Sequence, residues 1–282
     1  MTNTLLSLGY GYSADHFAQT LRRKGWRIIG TTRSPEKAEH MRASGIEPRL
    51  WGKDDLTKDI AAASHILTSI KPEGGEDPVL AAYGKQLQSA RPEWTGYLST
   101  IGVYGNHDGA WVDEDSRAEI PTKRASERLA AEQAWQALTP AAHVFRLGGI
   151  YGPGRGPLAK IRSGKAHRII KPGQVFSRIH LEDITGALLA SIAAPNPGRV
   201  YNLVDDEPAP PQDVLAYAAD LLGSEMPPEV PFDEAELRPM ARAFYADNKR
   251  VRNARLRGEL GYALRYPGFR EGLKACLAAD NL

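Results

Sequence analysis

The feature that most constrains this chain is a short turn near its start, Gly9-Tyr10-Gly11-Tyr12-Ser13-Ala14. It follows an apolar run, Leu5 to Leu8. It opens a segment of helical spacing, Ser13 to Lys24, in which Phe17 and Leu21 share one face and Gly25 ends the helix. The pattern G-x-G-x-x-G/A acquires meaning only between a strand and a helix. There the first glycine permits a tight turn, the second lets a pyrophosphate approach the backbone, and the small third residue lets helix and strand pack closely. The helix N-terminus adds unpaired N–H groups and partial positive charge. The reading is a dinucleotide-binding turn with Gly9, Gly11, Tyr12, Ser13 and Ala14 at the cofactor; a glycine-rich turn without a ligand is the bland alternative.

The next ninety residues continue the alternation. Strand patterns at Trp26 to Thr32, Ile46 to Leu50, His65 to Ile70 and Tyr97 to Ser99 are separated by helical ones, among them Pro35 to Ser44 and Val79 to Ala90. Such spacing predicts an α/β fold, a Rossmann doubly wound parallel sheet with right-handed crossovers. The second half predicts helices at Arg124 to Leu138, Glu182 to Ala193 and Gln212 to Leu222. Strands are predicted at His143 to Leu147 and Val200 to Val204, and a proline-rich acidic loop at Gly223 to Pro239. A length of 282 residues suits one large domain, or one with a smaller lobe.

The end of the second strand selects the cofactor. An acidic residue there holds the ribose hydroxyls of NAD. This chain has Thr31-Thr32-Arg33-Ser34, and the forked donors of Arg33 suit a 2′-phosphate, with Ser34 and Lys37 to assist. The expectation is NADP, with NAD as the alternative, and Thr32, Arg33, Ser34, Ser69 and Ser99 on the cofactor side. A solvated surface role is the bland reading of Arg33.

Further segments carry a resemblance: Ser99-Thr100-Ile101-Gly102-Val103-Tyr104-Gly105, Arg146-Leu147-Gly148-Gly149-Ile150-Tyr151-Gly152-Pro153-Gly154, Arg178-Ile179-His180-Leu181-Glu182-Asp183 and Tyr201-Asn202-Leu203. With the glycine turn they resemble the extended short-chain dehydrogenase/reductase superfamily, the NAD-dependent epimerase/dehydratase group. The resemblance implies a Rossmann domain over residues 1–152, to which 177–204 returns. It also implies a smaller C-terminal substrate lobe, mostly 153–282. The group's catalysts are a serine or threonine after the fifth strand, matched by Thr100 next to Ser99, and a Tyr-x-x-x-Lys pair on the following helix. Aligned through Leu129-Ala130-Ala131-Glu132, the tyrosine falls on Arg124 and the lysine on Arg128. No tyrosine occurs between Tyr104 and Tyr151, so a shifted alignment recovers none. Arginine keeps its proton at working pH and cannot act as the phenol would. Arg128 remains able to reach ribose hydroxyls or a substrate anion. The loss resembles the atypical members of the superfamily, which keep the cofactor fold without the tyrosine.

Other candidates are open to two readings each. Tyr104 is either a substitute acid or part of a packing motif. Arg155 and Arg178, with Arg124, are candidates for an anionic substrate. His180 is either an orienting residue at that substrate or a brace for the helix near Glu182. The histidines lack metal-ligand spacing, so no metal is expected. The single cysteine, Cys276, excludes an intrachain disulfide. A net charge of +2 gives no reason to expect nucleic acid. The absence of a long apolar run or a signal-like start makes the expectation a cytoplasmic protein without a membrane partner. Two functions follow. One is an NADP(H)-dependent oxidoreductase or epimerase/dehydratase-like enzyme on a small polar or sugar-like substrate. The other is a non-catalytic NADP(H)-binding redox sensor or scaffold.

Overall fold

The computed structural model describes residues 3–118 and 122–280. The chain runs β1 (Thr4–Leu8), α1 (Tyr12–Arg23), β2 (Arg27–Thr32), α2 (Pro35–Ala43), β3 (Glu47–Leu50), α3 (Thr57–Ala62), β4 (His65–Thr68), α4 (Pro78–Ala90) and β5 (Trp94–Thr100). A 3-10 turn, Ile101–Tyr104, and β6 (Trp111–Val112) lead to α5 (Lys123–Leu138), β7 (Ala142–Leu147), β8 (Gly149–Tyr151) and α6 (Pro157–Arg162). Then come β9 (Arg168–Ile170), β10 (Arg178–His180), α7 (Leu181–Ala193), β11 (Val200–Leu203), α8 (Pro211–Leu222) and β12 (Glu229–Pro231). The chain closes with α9 (Pro239–Ala246), β13 (Arg250–Val251), α10 (Ala254–Gly258) and α11 (Phe269–Asp280).

Seven strands form one sheet in the order β3-β2-β1-β4-β5-β7-β11. The pairs of β1 with β2 and with β4, and of β4 with β5, are parallel, with Leu5 opposite both Ile28 and His65. This is the expected doubly wound α/β sheet. Its strand order reverses between β1 and β4, and in open α/β sheets ligands bind at the carboxyl ends of strands flanking such a reversal. β1 is buried along its whole length, as a central parallel strand covered on both faces must be. In α1, Ala14, Phe17, Ala18 and Leu21 are buried at spacings of three and four, which lays one stripe on the sheet. Each large side chain so buried contributes about 1.5–3 kcal/mol.

The residues group into two compact units. One holds the chain up to Thr100, Lys123–Arg146 and Thr185–Tyr201; the other holds Ile101–Thr122, Leu147–Ile184 and the chain from Asn202. The first contains the core of Leu6, Leu8, Ile29, Ile66, Tyr97, Trp135 and Val144. The second is built on Tyr151, Leu158, Val214, Ala218, Phe269, Leu273 and Cys276, from β8, α6, α8 and α11. It holds three short parallel pairs, β8 with β10, β9 with β12, and β6 with β13. The acidic stretch expected as a loop over 223–239 contains β12. Its partner β9 lies some sixty residues earlier, and a pairing that distant leaves no local periodicity to read.

Candidate cofactor and catalytic site

The end of β1 turns sharply at Gly9, whose φ of +90° favours glycine. A Cβ there would meet Ser69 Oγ at 2.8 Å and Ile70 Cγ1 at 2.9 Å. The Gly9 N–H donates to Thr31 Oγ1 at 2.7 Å, and Ser69 Oγ donates to the Gly9 carbonyl at 2.6 Å. Ser69, expected at the cofactor, thus braces the turn from β4. Tyr10 N–H donates to the Thr31 carbonyl at 2.9 Å, and its ring is buried.

Gly11 differs in kind. It is the N-cap of α1, with φ −94°, a conformation open to any residue, and no side chain caps the helix. A Cβ on Gly11 would have no atom within 4 Å. The fold therefore does not require glycine there, while a ligand at the helix N-terminus would. Ser13 and Ala14 are buried behind the turn and Tyr12 is half-buried. A pyrophosphate fits this arrangement: exposed backbone, a bare glycine and the positive end of a helix. At the end of β2, Thr32 Oγ1 accepts from Ser34 N–H at 3.1 Å, and Ser34 Oγ caps α2 by accepting from Lys37 N–H at 3.1 Å. Arg33 is exposed and, among the described residues, unpaired.

Arg124, Arg128 and Glu132 recur every fourth residue along α5 and so share one face. Arg128 Nη1 donates to the Tyr97 hydroxyl at 2.9 Å and to the Leu98 carbonyl at 3.4 Å, with its guanidinium over the Tyr97 ring. Burial pushes the Tyr97 phenol above its ordinary pKa, against the opposing pull of Arg128. One turn on, buried Glu132 accepts a hydrogen bond from Ser99 Oγ and pairs with buried Arg146, whose Nη2 lies 2.8 Å from Oε2. The Ser99 hydroxyl, expected on the cofactor side, is directed into this network. Arg124 is exposed, and its side chain makes no hydrogen bond or ion pair among the described residues. Thr100, half-buried, ends β5. The Glu132–Arg146 pair and the Tyr97–Arg128 bond were not expected from sequence, although the four-residue spacing along α5 was there to read.

The remaining candidates lie in the second unit. Tyr104 is wholly buried, and its hydroxyl donates to Asn202 Oδ1 at 2.8 Å. Arg178 is buried on β10, where it donates to the carbonyls of Phe176 at 2.8 Å and Ala209 at 3.1 Å. Burial lowers its pKa, with Asp205 acting in the opposite sense. His180 is buried too: Nδ1 accepts from Glu182 N–H at 3.2 Å at the start of α7, and Nε2 faces Cys276 Sγ at 3.4 Å. Burial pushes that thiol up to about 12, so it stays protonated. Arg155 is exposed on a turn closed by paired backbone bonds with Gly152. Among the described residues no cluster of histidine, cysteine and acidic side chains could hold a metal, and no helix is long and apolar enough to cross a membrane.

The reversed sheet order and the glycine turn at its switch point define the class. The fold, a parallel α/β sheet of Rossmann type, is shared with solved epimerases. Within it, the chain belongs to one family with a functionally unknown conserved protein from Silicibacter pomeroyi DSS. The two are 55% identical, align over 99% of each chain, and superpose with a TM-score of 0.93. Protein YeeZ of Escherichia coli K12 is 28% identical over 277 residues, 92% of this chain and 95% of that one. No family model matches the chain. Two more distant structures share the fold. UDP-glucuronic acid 4-epimerase from Bacillus cereus, in complex with UDP-glucuronic acid and NAD, is 16% identical over 99% of each chain, with a TM-score of 0.78. Human epimerase family protein SDR39U1, with NADPH, is 19% identical over the whole of each chain, with a TM-score of 0.71.

Proposed function

We propose that this chain is an NADP(H)-dependent oxidoreductase or epimerase/dehydratase-like enzyme that acts on a small polar substrate without a helix phenol. The observation that carries this reading is the exposed guanidinium of Arg124 on α5, the position on which the sequence alignment puts the group's proton-transferring tyrosine. The bound nicotinamide would supply or accept hydride. In this reading Gly9 to Ala14 hold the pyrophosphate, and the cations after β2 hold a 2′-phosphate. Thr100 binds the reacting oxygen, and Arg124 binds negative charge on the substrate or developing on that oxygen. Arg128 positions α5 against β5 through Tyr97 and Leu98. The proton then comes from water or from the substrate.

The test is a titration of the purified protein with NADPH and NADH, followed by NADPH oxidation across a panel of carbonyl compounds with and without an anionic group. Tighter NADPH binding and turnover confined to anionic carbonyls, lost in Arg124→Gln, would support the reading. Equal affinity for the two cofactors would overturn the NADP assignment. A second reading, a non-catalytic NADP(H) sensor, draws on Tyr104, the candidate acid, which is buried and bonded to Asn202, and on Arg128, which is bonded to Tyr97. It gains if no compound is turned over while NADPH protects residues 202–282 from protease.

A further inference from the structure

Two cations follow β2, and they are held differently. Arg33 is exposed and unpaired among the described residues. Lys37 stands in the first turn of α2, and its Nζ donates to the Tyr10 carbonyl, between the two glycines of the turn. The same ammonium lies 5.9 Å from the centroid of the Tyr10 ring. Tyr10 is itself fixed. Its N–H donates to the Thr31 carbonyl, and its ring lies on Gly30, where a Cβ would come within 2.5 Å of Tyr10 Cδ2. Gly30 thus makes room in β2 for the ring, the ring fixes the carbonyl, and the carbonyl fixes the lysine.

We infer that Lys37, rather than Arg33, is the residue that gives this site its preference for a 2′-phosphate; this rests on the NADP(H) reading above. A long cationic side chain loses rotamer freedom when it grips a ligand. For Lys37 much of that loss has already occurred on folding, and two of its three N–H donors remain for an anion. Arg33 would have to order its whole side chain on binding. The ammonium also joins the two segments that frame the adenosine side of a dinucleotide site, the glycine turn and the end of the second strand.

The experiment measures NADPH and NADH dissociation constants by fluorescence titration for the unmodified protein, Lys37→Met and Arg33→Gln. Lys37→Met is expected to weaken NADPH about tenfold or more, the scale of a hydrogen bond to a charged group, and to leave NADH unchanged. Arg33→Gln is expected to weaken NADPH about fivefold at most, as for an exposed ion pair. Unchanged NADH binding also shows that each variant is folded. A larger loss in Arg33→Gln than in Lys37→Met overturns the inference while leaving the NADP(H) reading intact. So does an equal loss of NADH and NADPH in Lys37→Met, which would make the lysine a structural tie. Equal affinities in the unmodified protein would overturn both.

Discussion

The glycine turn and the α5 face lie in the same compact unit, and their polar groups are arranged in opposite ways. At the turn Thr31 and Ser69 brace Gly9 from behind, Lys37 holds the Tyr10 carbonyl, and Gly11 carries no side chain at the helix N-terminus. Along α5 the polar groups turn inward: Arg128 is bonded to Tyr97, and Glu132 to Ser99 and Arg146. Of the three residues on that face, Arg124 alone is exposed. The two surfaces depend on different residues, so one can change without the other.

The largest effect is expected on α5. Glu132→Ala removes the buried carboxylate that pairs with Arg146 and accepts from Ser99, and should cost about 3–5 kcal/mol of stability, read from urea unfolding. A loss under about 1 kcal/mol, the level of an exposed pair, would show that the network contributes little. The glycine turn gives the next contrast. Gly11→Trp should abolish NADPH binding, a loss of about 100-fold or more since the pyrophosphate needs that space, with no change in melting temperature. Gly9→Ala should instead destabilise the fold by about 1–3 kcal/mol, because its φ is positive and its Cβ would strike Ser69. Retained NADPH binding in Gly11→Trp would move the phosphates elsewhere.

A smaller effect concerns pH and the base of the sheet. His143 is fully buried, with Nε2 accepting from Asn196 N–H at 3.0 Å and Nδ1 facing the Thr95 carbonyl at 3.4 Å. Burial lowers its pKa, so the folded state favours the neutral ring. Stability is therefore complete above the unfolded value of about 6.5 and falls as pH drops below it, by up to about 1.4 kcal/mol per pH unit until the folded pKa is passed. Melting at pH 7.5 and 5.5 should show the decline, and His143→Gln should flatten it; an equally steep decline in the variant would place the sensitivity elsewhere. The smallest expected change tests the α5 face. Arg124→Tyr with Arg128→Lys should raise NADPH-dependent carbonyl reduction about tenfold, part of what a well-placed general acid contributes. No gain despite normal NADPH binding would mean that Thr100 or the substrate is not positioned for that chemistry.

The sequence alone determined the doubly wound sheet, the glycine turn at its switch point and the four-residue spacing of Arg124, Arg128 and Glu132 on α5. Each is written in local spacing: alternation of strand and helix, glycines at fixed offsets, residues four apart on one helix. The tertiary structure decided which of the named side chains face outward. Tyr104 is engaged by Asn202, 98 residues away; Arg178 is bonded to Ala209; and Ser99 meets Glu132 across a sheet and a helix. Whether a polar group is available to a ligand depends on partners far along the chain, because burial obliges it to find one. Lys37 illustrates the same division. Its charge and position after β2 are plain in the sequence, but its tether to the Tyr10 carbonyl exists only because Gly30, in the paired strand, leaves space for a ring.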